Sequence, residues 1–382
     1  MLELDPAQRA ARAEFERFAA REIAPHARRW DEEECFPREI LRTLGELGWL
    51  GIGIGEELGG SGGGAIERAL MLEELARASA AVALGVYVHS VLATGALAAV
   101  ASPALTREFL PPLLRGERVG AWAYAEPDAG ADVTRARLRA RREGSHYVLD
   151  GTKLYITNGT IADQLVVVAR THGEPGRMAG LSLLLVDGDA PGLTRTPMRK
   201  LGMRGSDMGE LHFDACRVPC ERLVGNEHTG FRASLGVLSQ GRIYGGALAC
   251  GLGRAALDAA LGHAQAREQF GAPLVALQAV RFAIADMTSQ LTAARVLVYG
   301  AAARLAAGQS FDIEASIAKL VASETATRLA ERALHLHGAQ GFMADSAVGR
   351  HYRDCKVFEW GEGANEVQRE MIFAATARGH RP

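Results

Sequence analysis

Along the first hundred or so residues, apolar positions recur at helical spacing. Between Arg9 and Glu22 a stripe of Ala11, Phe15, Phe18 and Ala19 is interleaved with charged positions, the pattern of an amphipathic helix. Pro37 opens a second segment that ends at Gly48. Residues 65–81 and 83–100 follow, both rich in Ala and Leu, which are strong helix formers. From about residue 118 the texture changes. Short runs rich in β-branched and aromatic residues, at 146–149, 153–157, 165–169, 181–186 and 210–213, are separated by Gly, Asp and Asn. Asp150-Gly151 and Asn158-Gly159 read as turns between such runs. From about residue 228 the helical pattern returns. Its clearest stretch is Leu277, Val280, Ile284, Met287, Leu291, Ala294 and Val298, a seam stepping by three and four residues. Residues 311–336 give another long helix. The pattern predicts an α+β chain in three parts: a helical region over 1–117, a β-domain over 118–227 and a helical bundle over 228–382.

Composition narrows the classes. With 48% hydrophobic and 23% charged residues in 382, the chain can bury large cores, which excludes bulk disorder. Its 43 basic and 45 acidic side chains give a formal charge of -2, which argues against nucleic acid or an anionic membrane held by electrostatics. The greasiest stretch, 80–99, carries Tyr87, His89, Ser90 and Thr94 and reads as a buried core helix. Residues 1–12 are charged and lack the apolar core of a signal peptide, and the five cysteines are scattered. The expectation is a cytoplasmic protein with reduced thiols. Cys216 and Cys220 have no second pair nearby to complete a zinc site, so no metal is expected.

Some motifs carry little. Gly51-x-Gly53-x-Gly55 follows a helical segment, where a dinucleotide fingerprint needs a preceding strand. Ser61, within Gly59-Gly-Ser-Gly-Gly63, reads as a loop serine for the same reason. His335 and His337 stand two apart on a helix and do not share a face.

Other stretches carry more, because they occur together and in order. They are 18–25 (FAAREIAP), 72–77 (LEELAR), 126–132 (EPDAGAD), 155–159 (YITNG), 201–207 (LGMRGSD), 267–271 (REQFG), 337–341 (HGAQG) and 352–354 (YRD) leading to 361–368 (GEGANEVQ). Over nearly its whole length the chain resembles the FAD-dependent acyl-CoA dehydrogenases, in their short-chain branch. The resemblance implies a helical domain, a central β-domain and a C-terminal four-helix bundle. It also implies a reaction: removal of an α-proton from a small acyl thioester while a β-hydride leaves to flavin N5.

Such a reaction needs an ionised carboxylate that is desolvated enough to be basic. The resemblance gives that role to Glu362, flanked by Gly361 and Gly363. The position where some members carry the base on a bundle helix is Gly241 here, which cannot serve. For the flavin the resemblance implies Tyr124, Ala125, Ala131, Tyr155, Ile156 and Thr157, with the Tyr155 ring on the isoalloxazine and the Thr157 hydroxyl at N5. Ala125 and Ala131 stand where Thr and Ser are usual, so two hydroxyl contacts are missing. Arg267, Phe270 and Gln278 resemble residues that reach the FAD of a neighbouring subunit, joined by His337, Gly338, Gln340 and Gly341 and by Ala364, Asn365 and Glu366. Arg204, Ser239, Arg242, Tyr244 and Gly363 are placed on the substrate side, and two readings stand for Tyr244 and Tyr87: they narrow the pocket, which favours short chains, or they pack in the core.

A shared cofactor site implies a homo-oligomer, as a tetramer. The implied partners are an acyl-CoA and an electron-transfer flavoprotein, with no nucleic acid and no membrane. Two alternatives stand beside this reading. The first is a dehydrogenase or oxidase of an acyl or aminoacyl group on a carrier protein, favoured by Ser239 and Ala131. The second is a flavoprotein without catalysis, opposed by the intact Glu362, Arg242 and Thr157.

Overall fold

The structure is a computed structural model in which residues 4–380 are described. Helix Pro6–Phe18 starts at Asp5, whose side chain accepts the Gln8 N–H while the Gln8 side chain accepts the Asp5 N–H, a reciprocal cap. Its buried residues are Phe15 and Phe18, as the stripe predicts. Helix Arg38–Glu46 follows Pro37, and Gly48 adopts a left-handed φ of 75°. The next two helices divide at Ser79, not between 81 and 83. Ser79 is extended, and its hydroxyl accepts the Val82 N–H to start Ala80–Tyr87. That helix runs on through one π-turn, Val88–Ala93, into Thr94–Val100. The 80–100 segment is apolar enough to cross a membrane by composition, yet 89% of its most apolar 18-residue window is buried inside the protein. It is a core helix.

The middle of the chain forms an eight-stranded sheet: β1 (Gly120–Ala123), β2 (Arg139–Glu143), β3 (His146–Thr157), β4 (Gln164–Arg170), β5 (Leu181–Asp187), β6 (Leu193–Pro197), β7 (Met208–Pro219) and β8 (Leu223–Val224). The order is β6-β7-β3-β2-β4-β5-β8, with β1 parallel to β4. Asn158 and Gly159 lie in a turn, but Asp150 and Gly151 do not. They sit inside β3, where the register against β7 slips between Leu149 and Gly151. The Asp150 carboxylate accepts the Ala215 N–H at 2.9 Å, bridging the irregularity. Gly151, at φ 140°, lets Leu138 approach to 2.9 Å of where a Cβ would stand. A β-bulge and a turn call for the same residue types, which is why the pair reads as a turn in the sequence.

The C-terminal bundle comprises Leu235–Ala266, Gln278–Ala306, Asp312–His337 and Asn365–Ala377. Val280, Met287, Leu291, Ala294 and Val298 of the predicted seam are buried, while Leu277 precedes the helix and is half exposed. The Leu235–Ala266 helix is central. Interior glycines cost helices about 1 kcal/mol each relative to alanine, and this helix uses them for close packing on separate faces. Gly246 and Gly253 meet the other bundle helices at Val298, Ala318, Leu291 and Leu329, Gly251 meets the Glu73 carbonyl, and Gly241 and Gly245 face Glu362.

A buried ionic knot ties the N-terminal helices to this helix. Glu73 and Glu74 accept Arg254 at 3.1 and 2.6 Å, and Glu73 also accepts Arg295 at 2.9 Å and the Tyr299 hydroxyl at 2.6 Å. Carboxylates this buried persist only because every charge is matched.

Candidate active site

Helix Val357–Trp360 ends at Gly361, and Glu362 and Gly363 follow with φ of 58° and 82°. Two successive left-handed residues swing the chain before Asn365–Ala377 begins. For Glu362, which carries a Cβ, this conformation costs about 1–2 kcal/mol, so the surroundings must hold it. They do: the buried Lys319 ammonium donates to the carbonyls of Glu359 (3.3 Å) and Gly363 (2.8 Å) and to Asn365 Oδ1 (2.9 Å). Gln368 Nε2 donates to the Glu362 and Gly363 carbonyls at 3.2 and 3.1 Å.

The turn drives the Glu362 side chain against the glycine face of the Leu235–Ala266 helix. A Cβ at Gly241 would lie 2.7 Å from Glu362 Oε2 and 2.6 Å from the Tyr87 hydroxyl, and one at Gly245 would lie 3.3 Å from Glu362 Cγ. Tyr87 is fully buried, and its hydroxyl faces this carboxylate without a well-formed bond to any protein group. Beside Glu362 is a cavity of about 30 Å³ lined by Leu84, Tyr87, Leu248, Lys319 and Phe358 among others. It has room for a water molecule or two.

Burial raises the Glu362 carboxyl above the ordinary glutamate range, while the Tyr87 hydroxyl and the Lys319 and Arg242 cations pull it back. The Arg242 guanidinium reaches Ser239 Oγ at 3.4 Å, and its Nε is buried without a partner. Tyr124 stands within the field of Glu362 and Arg242, and burial pushes its phenol up to about 12.

Tyr124 leads from the carboxylate to the sheet. Lys153, fully buried, donates to the Tyr124 carbonyl at 2.9 Å and to Glu126 at 2.8 Å, and the Glu126 carboxylate accepts the N–H groups of Arg137 and Leu138. The Leu154 N–H donates to the Ala125 carbonyl at 2.9 Å. This shapes the 124–131 segment from below and leaves Ala131 exposed at its end. Next along β3, the register slips again between Lys153 and Ile156, and Tyr155 takes a φ of 60°. The bulge re-aims Tyr155, which is 59% exposed, while Ile156 is buried and Thr157 pairs with Met208.

The other predicted cofactor residues lie apart from these. Arg267 and Phe270 follow the Leu235–Ala266 helix, Gln278 opens the next, and Phe270 is 94% exposed. Arg267 shares a cavity of about 430 Å³ with His337, Gly338 and Gln340, and also with His263 and His335. His263 and His337 stack there with ring centroids 4.1 Å apart. Gly341 is buried below, against Leu334. Ala364 and Glu366 flank Asn365, whose amide oxygen is held by Lys319 and by Ser323 at 3.1 Å.

One substrate-side expectation falls elsewhere. Tyr244 is buried with its ring 5.6 Å from the Arg68 guanidinium, toward the N-terminal helices. Residues 241 and 245 face Glu362 and residue 244 does not, since neighbours on a helix face differ by about 100°. Arg204 lies in a loop whose Gly205 abuts Trp30 and Ala81 and whose Gly202 abuts Arg353. Its Nε is buried without a partner. Lys319, Gly245 and Lys153 escaped the sequence reading. The signal for Lys319 was a lone cation in the apolar run Ser316-Ile-Ala-Lys-Leu-Val321.

The site residues fit a flavin by their chemistry: an exposed aromatic ring beside a hydroxyl on one strand, unsatisfied buried guanidinium nitrogens, and a desolvated carboxylate. Comparison with known proteins places the chain in a class with this chemistry. Residues 5–117, 121–216 and 228–377 match the N-terminal, middle and C-terminal domains of acyl-CoA dehydrogenase. The chain belongs to the acyl-CoA dehydrogenase family, flavin-dependent oxidoreductases. It is 39% identical to the protein named "Probable acyl-CoA dehydrogenase YngJ" of Bacillus subtilis strain 168, covering 97% of this chain and 98% of that one. It is 36% identical to the mitochondrial short-chain specific acyl-CoA dehydrogenase of Mus musculus, covering 95% and 88%. Among solved structures, butyryl-CoA dehydrogenase from Megasphaera elsdenii superposes with a TM-score of 0.95 at 33% identity, over 99% of this chain and all of that one.

Proposed function

We propose that the chain oxidises a short acyl-CoA thioester to its α,β-unsaturated form, with FAD as the flavin. The observation that carries this reading is the Glu362 carboxylate, held by a left-handed turn against a glycine face and beneath a buried tyrosine hydroxyl. When bound, the flavin supplies the acceptor for the β-hydrogen and its electron pair. Glu362 takes the α-proton, and the electrons of that C–H bond become the new double bond. Arg242 and Lys319 keep the carboxylate ionised, while burial keeps it basic. Tyr155, Thr157 and the 124–131 segment would line the flavin ring. Arg267, Phe270, Gln278 and the 337–341 stretch would meet the diphosphate and adenine of a neighbouring copy's FAD. That arrangement makes a homo-oligomer the working form, and a tetramer is the proposed state. An electron-transfer flavoprotein in the cytoplasm is the proposed acceptor of the electrons.

The walls beside Glu362 argue against a long acyl chain, because Leu84, Tyr87, Leu248 and Phe358 leave only about 30 Å³ of space there. Flavin bleaching under anaerobic conditions should be faster with butyryl-CoA than with octanoyl-CoA. The reverse order would overturn the short-chain reading.

The carrier is tested in the same experiment. Ala131 offers no hydroxyl, and Ser239 no carboxylate, near the path expected for the pantetheine arm. Bleaching only by acyl groups on a carrier protein would replace CoA as the substrate. No bleaching by either form would leave the non-catalytic reading.

For the shared cofactor site, Arg267→Ala should weaken FAD retention by roughly one to two decades, the worth of a charged hydrogen bond of about 1.5–3 kcal/mol. The assembly should loosen with it. Flavin content and sedimentation both equal to wild type would place Arg267 outside the cofactor site.

A further inference from the structure

We propose that Lys319 is a positioning residue for the Glu362 base, fixing the turn that presents the carboxylate and supplying the counter-charge that holds it ionised. The proposal rests on Glu362 being the base, and is argued from three observations.

The first is geometric. Lys319 is 2% exposed, and the three hydrogen-bond partners of its ammonium, the Glu359 and Gly363 carbonyls and Asn365 Oδ1, span both sides of Glu362. An ammonium has three donors, and all three are spent on this one segment. The strained residue therefore stands between anchors fixed to a different helix, Asp312–His337.

The second is the choice of residue. A buried lysine pays a desolvation cost that a neutral donor such as glutamine avoids. Loop anchoring alone does not require a charge. A charge is useful where an anion must be kept, and Lys319 lines the same small cavity as Glu362.

The third is the balance of the surroundings. Glu362 faces Tyr87 from Ala80–Tyr87, Arg242 from Leu235–Ala266 and Lys319 from Asp312–His337. Lys319 itself feels Glu362, Glu366 and Glu359, with Arg242 opposing, and burial brings its ammonium down to about 8. Arg242 is further biased by Asp312. Of the two cations, Lys319 alone bonds the turn that bears the base.

Two readouts separate the anchoring from the charge. Lys319→Gln keeps a donor, one bond shorter, and removes the charge. In this variant the acid limb of the pH–rate profile should move up by about one pH unit, because an opposing charge no longer lowers the carboxyl pKa. Lys319→Met removes both roles. It should show the same shift, together with faster hydrogen exchange at the amides of residues 359–366. A purely structural lysine would lower the rate without moving the limb. An unmoved limb in a folded Lys319→Gln variant overturns the proposal, whatever happens to the rate. Hydrogen exchange is read without turnover. If the wild-type enzyme fails to oxidise any thioester, the functional reading falls, while the exchange data still report whether Lys319 anchors the turn. Unchanged exchange in Lys319→Met would overturn the anchoring.

Discussion

Replacing Glu362 with Gln should lower turnover by about 10²–10⁴, the usual worth of a general base, and leave fold and flavin content intact. The amide has nearly the same shape, so it fits the glycine face at Gly241 and Gly245, but it cannot accept the α-proton. Anaerobic mixing with butyryl-CoA reads the flavin reduction directly. A variant that reduces its flavin as fast as wild type would mean that another group takes the proton. The pH dependence follows from the same group. Burial raises the Glu362 carboxyl above its ordinary value of about 4.3. The base works only when ionised, so the rate should rise with pH through that raised pKa and then level off. The acid limb should lie above pH 4.3, the ordinary glutamate value, and should vanish from what little activity Glu362→Gln retains.

Gly241→Ala should cost about 10² in turnover, the scale of effect when a reacting group shifts by roughly an ångström. The new methyl would stand 2.7 Å from Glu362 Oε2 and 2.6 Å from the Tyr87 hydroxyl, closer than atoms tolerate. Both are the far ends of side chains, so the protein accommodates the methyl by displacing the carboxylate, not by unfolding. Alanine also favours the helix over glycine by up to about 1 kcal/mol, which makes loss of activity without loss of thermal stability the expected signature. Gly245→Ala is the control. Its methyl meets Glu362 Cγ at 3.3 Å, a contact that small adjustments relieve, so its effect should be several-fold smaller. Equal turnover in Gly241→Ala and wild type would show that the carboxylate does not work from this position.

Local residue pattern alone determined the class of each part of this chain. Helical spacing such as the Val280 to Val298 seam, and β-branched runs such as those in β4 and β5, reflect backbone periodicities set within a few residues. The co-occurrence of motifs determined the family, and with it the choice of Glu362 over the other acidic residues. Tertiary structure decided the rest, because it depends on groups distant in sequence. Gly241, Gly245, Tyr87 and Lys319 come from three helices to surround one carboxylate, and that meeting depends on how the helices pack, not on any one local stretch. Tyr244 shares a helix with Gly241 and Gly245, yet it turns to Arg68 because side-chain direction depends on how that helix is rotated against its neighbours. Asp150-Gly151 reads locally as a turn, and only the pairing of β3 with β7 makes it a bulge within a strand. The strained φ of Glu362 is likewise invisible in the sequence, since a left-handed glutamate exists only where contacts from elsewhere outweigh its local cost.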